Sequence, residues 1–449
     1  MTGPDLIGDA VARSQSVMEV LIGCGVLADV GAVYRRRFGP GDACIIADEN
    51  TWAAAGAAVE RSLQAAGITT RTHILPATPR PKPTVELATQ LRDILEEDDS
   101  APVAVGSGVV NDLVKHAAFS LGRDYLCVAT AASMDGYTSA GAPLSEKGFK
   151  KTIPCRPARA LVADLDVIAA APAEMTGWGY GDLAGKVPAG GDWIIADALG
   201  IEAIDAIAWP MVQNGLDGWL SQPDRIAAGE RDAVEGLFLG LTLVGLAMEA
   251  HGSSRPASGA DHQIAHLWEM DDLHHHGERV SHGACVAVGT MAALRMYDWL
   301  LAQDLTTLDP TLRAADAPSL AAKEAEIRDR FGPGEIADRA IVETRAKHVE
   351  GAELQARLTR LRDAWPDLAQ RLRARLWTAD RMAQHLARAG APVQAADIGV
   401  DPAYLYCTIL KARFLRSRYT ILDLLDEVGL LDQAAVAALP GAAQSRVGT

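Results

Sequence analysis

The chain has 449 residues, of which 49% are apolar and 22% are charged, so it has the composition of a soluble globular protein with material for two domains. Its formal net charge of −16 argues against a general nucleic-acid or membrane-surface binder, although a local basic pocket could still hold a phosphate. The six cysteines show neither metal spacing nor a disulfide framework, which indicates free thiols in a reducing compartment.

The N-terminus and the apolar runs predict where the protein resides. The first residues, MTGPDLIGDA, are acidic and lack the apolar core of a signal peptide. The longest apolar run, at about residues 236–248, is interrupted by glycines and is too short to span a bilayer. We therefore expect a cytoplasmic protein without a membrane span.

Strand-like and helix-like segments alternate through the first part of the chain. The pattern predicts strands at 43–48, 72–76, 102–105, 125–130 and 160–168, and helices at 51–66, 84–97 and 109–121. The glycine-, serine- and lysine-containing stretch 135–152 predicts loops and a hairpin. This alternation indicates a Rossmann-like parallel sheet with helices on its faces.

From residue 172 to about residue 431 the periodicity is that of amphipathic helices broken by proline and glycine. The prediction is an α/β domain over residues 1–170 followed by an all-α domain over residues 171–449. A cleft between the two is the expected ligand site.

Polar and glycine residues follow the predicted strands where a ligand of a parallel sheet would bind. Gly106-Ser107-Gly108 stands between a strand and a helix, where it could receive a phosphate or form a plain tight turn. Thr130 and Ser133 place hydroxyls at the same edge. Asp48 ends the first predicted strand and could bond a ribose hydroxyl or cap the next helix.

Residues 258–289 hold six of the eleven histidines. His262 and His266 are spaced i, i+4, so on a helix they stand on one face. Together with His282 they could surround a metal ion if a carboxylate came from elsewhere. The consecutive His274-His275-His276 cannot converge on one point and are predicted to form a solvated loop.

Asp182, within GYGDLAGK, is the candidate for that carboxylate, and the alternative is a helix cap. With His262 and His282 it would give three protein ligands and one open position, which is the pattern of catalytic zinc. His266 could be a fourth ligand, an orienting residue or a substrate contact. Lys150 and Lys151 are either surface lysines or contacts to a phosphate.

Seven ordered motifs resemble a known family. They are GSGVVND (106–112), TAASMDGYTS (130–139), GFKKTIP (148–154), ADLD (163–166), GYGDLAGK (179–186), SGADHQIAHLWEM (258–270) and HGACVAVG (282–289). Together they look like the sn-glycerol-1-phosphate dehydrogenases, within the superfamily of iron-containing alcohol dehydrogenases, glycerol dehydrogenase and dehydroquinate synthase. The region 409–431 resembles the C-terminal helices of longer bacterial members.

The resemblance implies a dehydroquinate synthase-like fold, with a dinucleotide-binding α/β domain and an all-helical metal- and substrate-binding domain. It implies NAD or NADP as cofactor, one divalent metal, which is zinc or else nickel or iron, and a homodimer. Asp182, His262 and His282 would ligate the metal. The cofactor would be contacted by Gly106, Ser107, Gly108, Val109, Val110, Thr130, Ala131, Ala132, Ser133 and Ser139, and the position of Asp48 at the end of a strand adds it as a candidate for the ribose.

The implied reaction is reversible hydride transfer between NAD(P)H and dihydroxyacetone phosphate, giving sn-glycerol 1-phosphate. Asp135, Asp182 and His266 would contact the substrate, and Lys150 or Lys151 would hold its phosphate. The catalytic proton would come from His266 or from a water at the metal. The alternatives are a dehydroquinate synthase-like activity, a glycerol dehydrogenase activity, or a non-catalytic protein that binds metal and nucleotide.

The chain departs from the family pattern in two places. After GDLAGK it reads VPAGGDW, where members usually carry a more helical run, and this difference could change the wall of the cleft. The segment around 305–400 matches no assigned motif.

Overall fold

A computed structural model describes the backbone of residues 3–146 and 149–440 and the side chains of residues 6–146 and 152–440. The chain forms two compact units. As far as they are described, the first contains Met1–Leu183, Ile207–Ser254 and Arg388–Gly390, and the second contains Ala184–Ala206, Arg255–Ala387 and Ala391–Thr449. The domain boundary predicted at residue 170 stays a prediction.

The first unit is built on a six-stranded parallel sheet. Numbered in chain order, its strands are β1 (Glu19–Gly23), β2 (Ala43–Asp48), β3 (Thr70–Leu75), β4 (Ala101–Gly106), β5 (Leu126–Ala129) and β8 (Ala160–Asp164). Their order across the sheet is β1-β8-β5-β4-β2-β3. The inner strands are almost wholly buried, as expected where helices cover both faces. The predicted parallel sheet is therefore confirmed.

Helices pack around this sheet. In chain order the α-helices of the first unit are Gly3–Arg13, Val30–Phe38, Glu49–Thr51, Ala57–Ala65, Val85–Glu96, Gly108–Ser120, Leu165–Ala169, Ala173–Ala184, Ala208–Gln213, Leu216–Trp219, Pro223–Ala227 and Arg231–His251. A 3₁₀ turn, Val26–Asp29, follows β1. A π-helical turn, Trp52–Gly56, interrupts the helix that was predicted as continuous over 51–66.

One strand was predicted too long, and another was not predicted at all. The strand expected over 160–168 ends at Asp164, because the carboxylate of Asp164 accepts the amide N–H of Asp166 at 3.0 Å and caps a new helix. The strand Glu19–Gly23 was not predicted. It lies at the edge of the sheet, pairs with β8 and is only partly buried, and its short apolar run, Val20-Leu21-Ile22, does not alternate as a half-buried strand usually does.

The predicted hairpin is present. β6 (Ala142–Glu146) pairs antiparallel with β7 (Phe149–Ile153), with Ser145 opposite Lys150 and Leu144 opposite Lys151. The side chains of Lys150 and Lys151 lie outside the described residues, so the predicted phosphate contact of these lysines has no structural account.

The second unit is mainly helical. Its α-helices are Lys186–Ala198, Ala260–Met270, His282–Leu300, Pro310–Asp316, Leu320–Phe331, Glu335–Lys347, Gly351–Arg375, Ala379–Arg388, Pro402–Ala412, Ile421–Glu427 and Leu431–Ala437. Short 3₁₀ turns lie at Leu305–Thr307 and Ala395–Ile398. A two-stranded ribbon, β9 (His274–His275) with β10 (Glu278–Arg279), joins the second and third of these helices. The unassigned segment 305–400 thus consists largely of helices.

The helix Arg231–His251 is the one candidate among the described residues with the length and composition to cross a membrane. The folded chain buries 67% of its most apolar window. Within the first unit, Phe238 packs against Tyr137 with ring centroids 5.7 Å apart, and the carbonyl of Thr242 accepts the Thr138 hydroxyl at 2.7 Å. These contacts are those of a core helix.

Candidate active site

The predicted cofactor residues meet at one edge of the sheet in the first unit. β2, β4 and β5 are neighbours, and they end at Asp48, Gly106 and Ala129. Asp48 accepts the amide N–H of Thr51 at 2.9 Å and caps the following helix. The capping role is therefore present, and the predicted contact of Asp48 with a ribose stays a prediction.

The Gly106-Ser107-Gly108 turn starts a thirteen-residue helix, Gly108–Ser120. A Cβ at Gly106 would lie 2.6 Å from the Cβ of Val110, so packing alone requires glycine there. Ser107 is the N-cap residue, yet its side chain makes no capping bond within the described residues. Amide N–H groups of a first helical turn that lack a side-chain cap can bind an anion.

The segment that follows β5 is packed into the first unit. Ala131 and Ala132 are buried, as are Ser133 and Ser139. A Cβ at Gly179 would lie 1.8 Å from the carbonyl oxygen of Ala132, so the glycine of the GYGD motif lets a helix touch this backbone directly.

Lys115 holds the next part of this segment. Its side chain is fully buried, and its Nζ donates to the carbonyl oxygens of Gly136 at 2.8 Å, Ser139 at 3.2 Å and Gly141 at 3.1 Å. The carboxylate of Asp112 lies 3.4 Å from the same ammonium group. A cation in this position satisfies three carbonyl groups that would otherwise be buried together.

Asp182 lies on the helix Ala173–Ala184, and its side chain is fully buried. Its Oδ2 accepts the backbone N–H of Asp135 at 2.9 Å. The predicted substrate residue and the predicted metal ligand are thus joined directly within the first unit. A hydrogen bond of this kind orients a carboxylate that is to bind a metal. The role of Asp182 as a ligand stays a prediction.

Three of the predicted histidines converge in the second unit. The ring centroid of His262 lies 5.4 Å from that of His282 and 5.9 Å from that of His266, and the His266 and His282 rings are 5.7 Å apart. His262 and His266 share a face of Ala260–Met270, while His282 is the first residue of His282–Leu300. The i, i+4 spacing and the later His-Gly step were therefore read correctly as one cluster.

Two carboxylates fix the rings of this cluster. Asp261 lies 2.5 Å from Nδ1 of His262, and Glu269 lies 2.7 Å from Nδ1 of His266 and 2.8 Å from Nδ1 of His282. Because an ionised carboxylate only accepts, each Nδ1 donates a proton to it. Nε2 is then the atom with which each ring would bind a metal or a substrate, which is the usual arrangement of metal-binding histidines.

A close approach of two helices places His282 beside His262. Gly289 is seven residues after His282, on the same face of the helix. A Cβ at Gly289 would lie 2.3 Å from the carbonyl oxygen of Asp261, so only glycine permits this crossing. The glycine of the HGACVAVG motif is therefore a packing requirement of the histidine cluster.

Asp192, in the divergent VPAGGDW segment, fixes the start of the helix that carries His262. Its carboxylate accepts the amide N–H of Ala260 at 2.7 Å, the amide N–H of Ile421 at 2.8 Å and the hydroxyl of Tyr297 at 2.6 Å. Burial raises the pKa of Asp192 to about 6, while these donors and the nearby Arg255 act in the opposite direction. Asp192, a residue of the segment that differs from the family pattern, thus links four helices through buried hydrogen bonds.

Sequence reasoning missed Asp261, Glu269, Lys115 and Asp192 and correctly set the triple histidine apart. Glu269 stands three residues after His266, so the helical spacing that paired the histidines could have found it. The sequence predicted that His274, His275 and His276 form a solvated loop, whereas they occupy the ribbon and its turn. His274 and His276 are exposed.

One family model and several relatives that share one name match this chain. The profile of the iron-containing alcohol dehydrogenases matches residues 21–172. A glycerol-1-phosphate dehydrogenase (NAD(P)+) of Bacillus licheniformis is 31% identical over 334 residues, covering 74% of this chain and 70% of that protein. A protein of the same name from Thermococcus kodakarensis is 30% identical, covering 67% of this chain and 82% of that protein.

A solved structure supports the fold. The probable glycerol dehydrogenase from Sinorhizobium meliloti aligns with a TM-score of 0.60 at 18% identity, covering 96% of this chain and 98% of that one. At this identity the similarity establishes the architecture, a parallel sheet with a helical C-terminal region, and no substrate.

Proposed function

Because the chain belongs to the glycerol-1-phosphate dehydrogenase (NAD(P)+) family, we propose that it catalyses the reversible reduction of dihydroxyacetone phosphate to sn-glycerol 1-phosphate by NADH or NADPH. The observation that carries this proposal is the cluster of His262, His266 and His282, in which a carboxylate binds Nδ1 of every ring. Imidazole rings oriented in this way can bind a divalent metal through Nε2 or donate a proton from Nε2 to a substrate.

We propose that Asp182, His262 and His282 hold the metal. Two imidazoles and one carboxylate form a donor set typical of a catalytic zinc site with an open position. The metal, when bound, would supply Lewis-acid stabilisation of the charge that develops on the substrate oxygen. Zinc is the proposed metal, and nickel and iron are the alternatives that the test includes.

We propose that the sheet edge of the first unit binds the dinucleotide. The amide groups of Gly108, Val109 and Val110 would receive the pyrophosphate, because they start a helix whose N-cap residue Ser107 makes no side-chain capping bond among the described residues. Asp48 would bond the ribose. The remaining cofactor contacts would come from Gly106 and from Thr130, Ala131, Ala132, Ser133 and Ser139.

The remaining proposed roles concern the substrate. Asp135 would bond a substrate hydroxyl, since a carboxylate facing a phosphate dianion would repel it. Lys150 or Lys151 would hold the phosphate. His266 would donate the proton to the new hydroxyl group, because Glu269 orients its ring with Nδ1 engaged. We also propose a homodimer located in the cytoplasm.

The test is oxidation of NADH and NADPH by the purified protein with dihydroxyacetone phosphate, dihydroxyacetone or a dehydroquinate precursor, each with and without a chelator. We expect turnover of dihydroxyacetone phosphate that chelation abolishes and that zinc, nickel or iron restores. Preference for unphosphorylated dihydroxyacetone would replace the proposal with a glycerol dehydrogenase, and activity that survives exhaustive metal removal would refute the metal's role.

Three variants test the ligand set by metal analysis after gel filtration. Asp182→Ala, His262→Ala and His282→Ala should each lose the bound metal. His274→Ala is the matched control, because this histidine is exposed on the neighbouring ribbon, and it should retain the metal. Full metal content in Asp182→Ala would exclude that residue as a ligand.

A further inference from the structure

Glu269 is shared between two histidines to which different roles are proposed. Its Oε2 lies 2.7 Å from Nδ1 of His266, and its Oε1 lies 2.8 Å from Nδ1 of His282. Only 4% of its side chain is exposed. Asp261 accepts from Nδ1 of His262, so among the hydrogen bonds given for the described residues Glu269 is the carboxylate that serves two of the rings.

We propose that Glu269 is a positioning residue that fixes the tautomers of His266 and His282 together and thereby couples metal binding to proton delivery. The inference rests on the proposed function, in which His282 is a metal ligand and His266 is the proton donor. Glu269 itself would touch neither the metal nor the substrate.

The geometry identifies these contacts as hydrogen bonds. His266, Glu269 and His282 offer ligand atoms within 4.8 Å of one another and could form a metal group of their own. However, the Nδ1-to-carboxylate distances of 2.7 and 2.8 Å are those of direct hydrogen bonds. Nitrogen and oxygen ligands of zinc lie about 2.0–2.2 Å from the ion, so an ion between them would need these direct bonds to open.

Each carboxylate oxygen accepts one ring proton, so both rings must carry hydrogen on Nδ1. Nε2 of His282 then has the lone pair that a metal requires. Nε2 of His266 becomes the position at which a proton can be gained and given to a substrate. The carboxylate contributes two acceptors at once, and no neutral side chain of the same shape does so.

Glu269→Gln removes one of the two acceptor oxygens with little change in the shape of the side chain. A glutamine amide has one acceptor oxygen and one NH₂ group that only donates. The ring that faces the amide oxygen can keep hydrogen on Nδ1. The ring that faces the NH₂ group must accept at Nδ1, so it changes to the tautomer with hydrogen on Nε2. The substitution therefore damages either the ligand His282 or the proton donor His266, or divides its effect between them.

The experiment is a double-mutant cycle on wild type, Glu269→Gln, His266→Ala and the double variant, with two readouts. The first is the zinc dissociation constant of each apo-protein, measured in competition with a chromophoric chelator. The second is kcat for dihydroxyacetone phosphate at saturating zinc. Asp261→Asn, which alters the ring of His262 alone, is the matched control.

We expect Glu269→Gln to weaken zinc binding by up to about 10- to 100-fold when His266 is present, and by less when His266 is alanine, because the glutamine oxygen is then left to His282. At saturating zinc it should lower kcat about 10-fold or more when His266 is present and about 2-fold or less when His266 is alanine. Asp261→Asn should weaken zinc binding, while its effect on kcat at saturating zinc should be the same in both backgrounds.

Unchanged zinc affinity and unchanged kcat in Glu269→Gln would overturn the proposal. So would an equal fall in kcat in the two backgrounds, because Glu269 would then not act through His266. Should Glu269→Gln not fold, Glu269→Asp replaces it, since a side chain one methylene shorter cannot reach both rings. The zinc measurement needs no substrate, so an error in the proposed reaction would leave it interpretable.

Discussion

The carbonyl oxygen of Asp261 lies where a side chain at Gly289 would have to be. An added Cβ would be 2.3 Å from that oxygen, which is backbone and cannot swing away. The helices that carry His262 and His282 are therefore held at a separation that any larger residue would change.

Gly289→Ala should separate these helices, lower the free energy of unfolding by about 1–3 kcal/mol and weaken zinc binding, because a well-packed core tolerates added atoms poorly. The control is Gly236→Ala, also within a helix, where a Cβ meets no atom within 4 Å. That control should be neutral or slightly more stable, since alanine favours helix. Urea unfolding and zinc titration measure both variants, and equal behaviour would exclude the steric account.

Asp192 should make stability depend on pH. Its pKa is raised to about 6 by burial, from a usual value of 3.8, so between about pH 4 and pH 6 the folded chain keeps a proton that the unfolded chain has released. Because the folded state then binds more protons, the contribution of Asp192 to the free energy of unfolding falls as pH rises through this window. The total change is about 3 kcal/mol.

Urea unfolding between about pH 4 and pH 7 tests this expectation by comparing wild type with Asp192→Asn, which cannot ionise. The stability difference, wild type minus variant, should shrink as pH rises. Tyr297→Phe removes a donor to the carboxylate and should move the window to higher pH. A difference that grows with pH would contradict the raised pKa.

Lys115→Met should loosen the segment around Asp135 and Ser139, because three buried carbonyl groups lose their donor. Unsatisfied groups of this kind cost about 1–3 kcal/mol each, so the free energy of unfolding should fall by at least about 2 kcal/mol. KM for dihydroxyacetone phosphate should rise. Lys82→Met, at an exposed position, should change neither quantity. Wild-type stability and KM in Lys115→Met would show that the segment is held by other contacts.

Asp48→Asn separates the two roles considered for that carboxylate. Asparagine caps helices about as well as aspartate, so stability should change by less than about 0.5 kcal/mol. The dissociation constant for NADH should rise about 5- to 10-fold, because a neutral amide is a weaker acceptor for ribose hydroxyls. Fluorescence titration with NADH measures this effect. Unchanged affinity would leave Asp48 with the capping role alone.

The sequence predicted the sheet well where strands are buried on both faces. β2, β4 and β5 are continuous apolar runs, and that pattern needs no tertiary knowledge. β1 is an edge strand whose residues are all partly exposed, and its apolar run, Val20-Leu21-Ile22, is only three residues long and does not alternate, so neither strand pattern identified it. The end of β8 was misplaced because Leu165–Ala169 is apolar enough for a strand, and only the capping bond of Asp164 ends it.

In the candidate site, the sequence predicted the residues that are related by local spacing and missed those that only long-range contacts bring together. His262 and His266 were paired by helical periodicity, which is a local property. Asp261 adjoins His262, and neighbouring residues on a helix point in different directions, so no spacing rule links them. Asp192 contacts Ala260 and Ile421, which are far away in sequence, and only the folded chain brings these groups together.

The ammonium group of Lys115 sits among three carbonyl oxygens much as a monovalent ion would in a small oxygen cage. A dissolved potassium or sodium ion leaves such a cage when its concentration falls. This cation is tethered covalently to the helix Gly108–Ser120, so dilution cannot remove it. We therefore expect the segment that contains Asp135 to need no bound monovalent ion for its order.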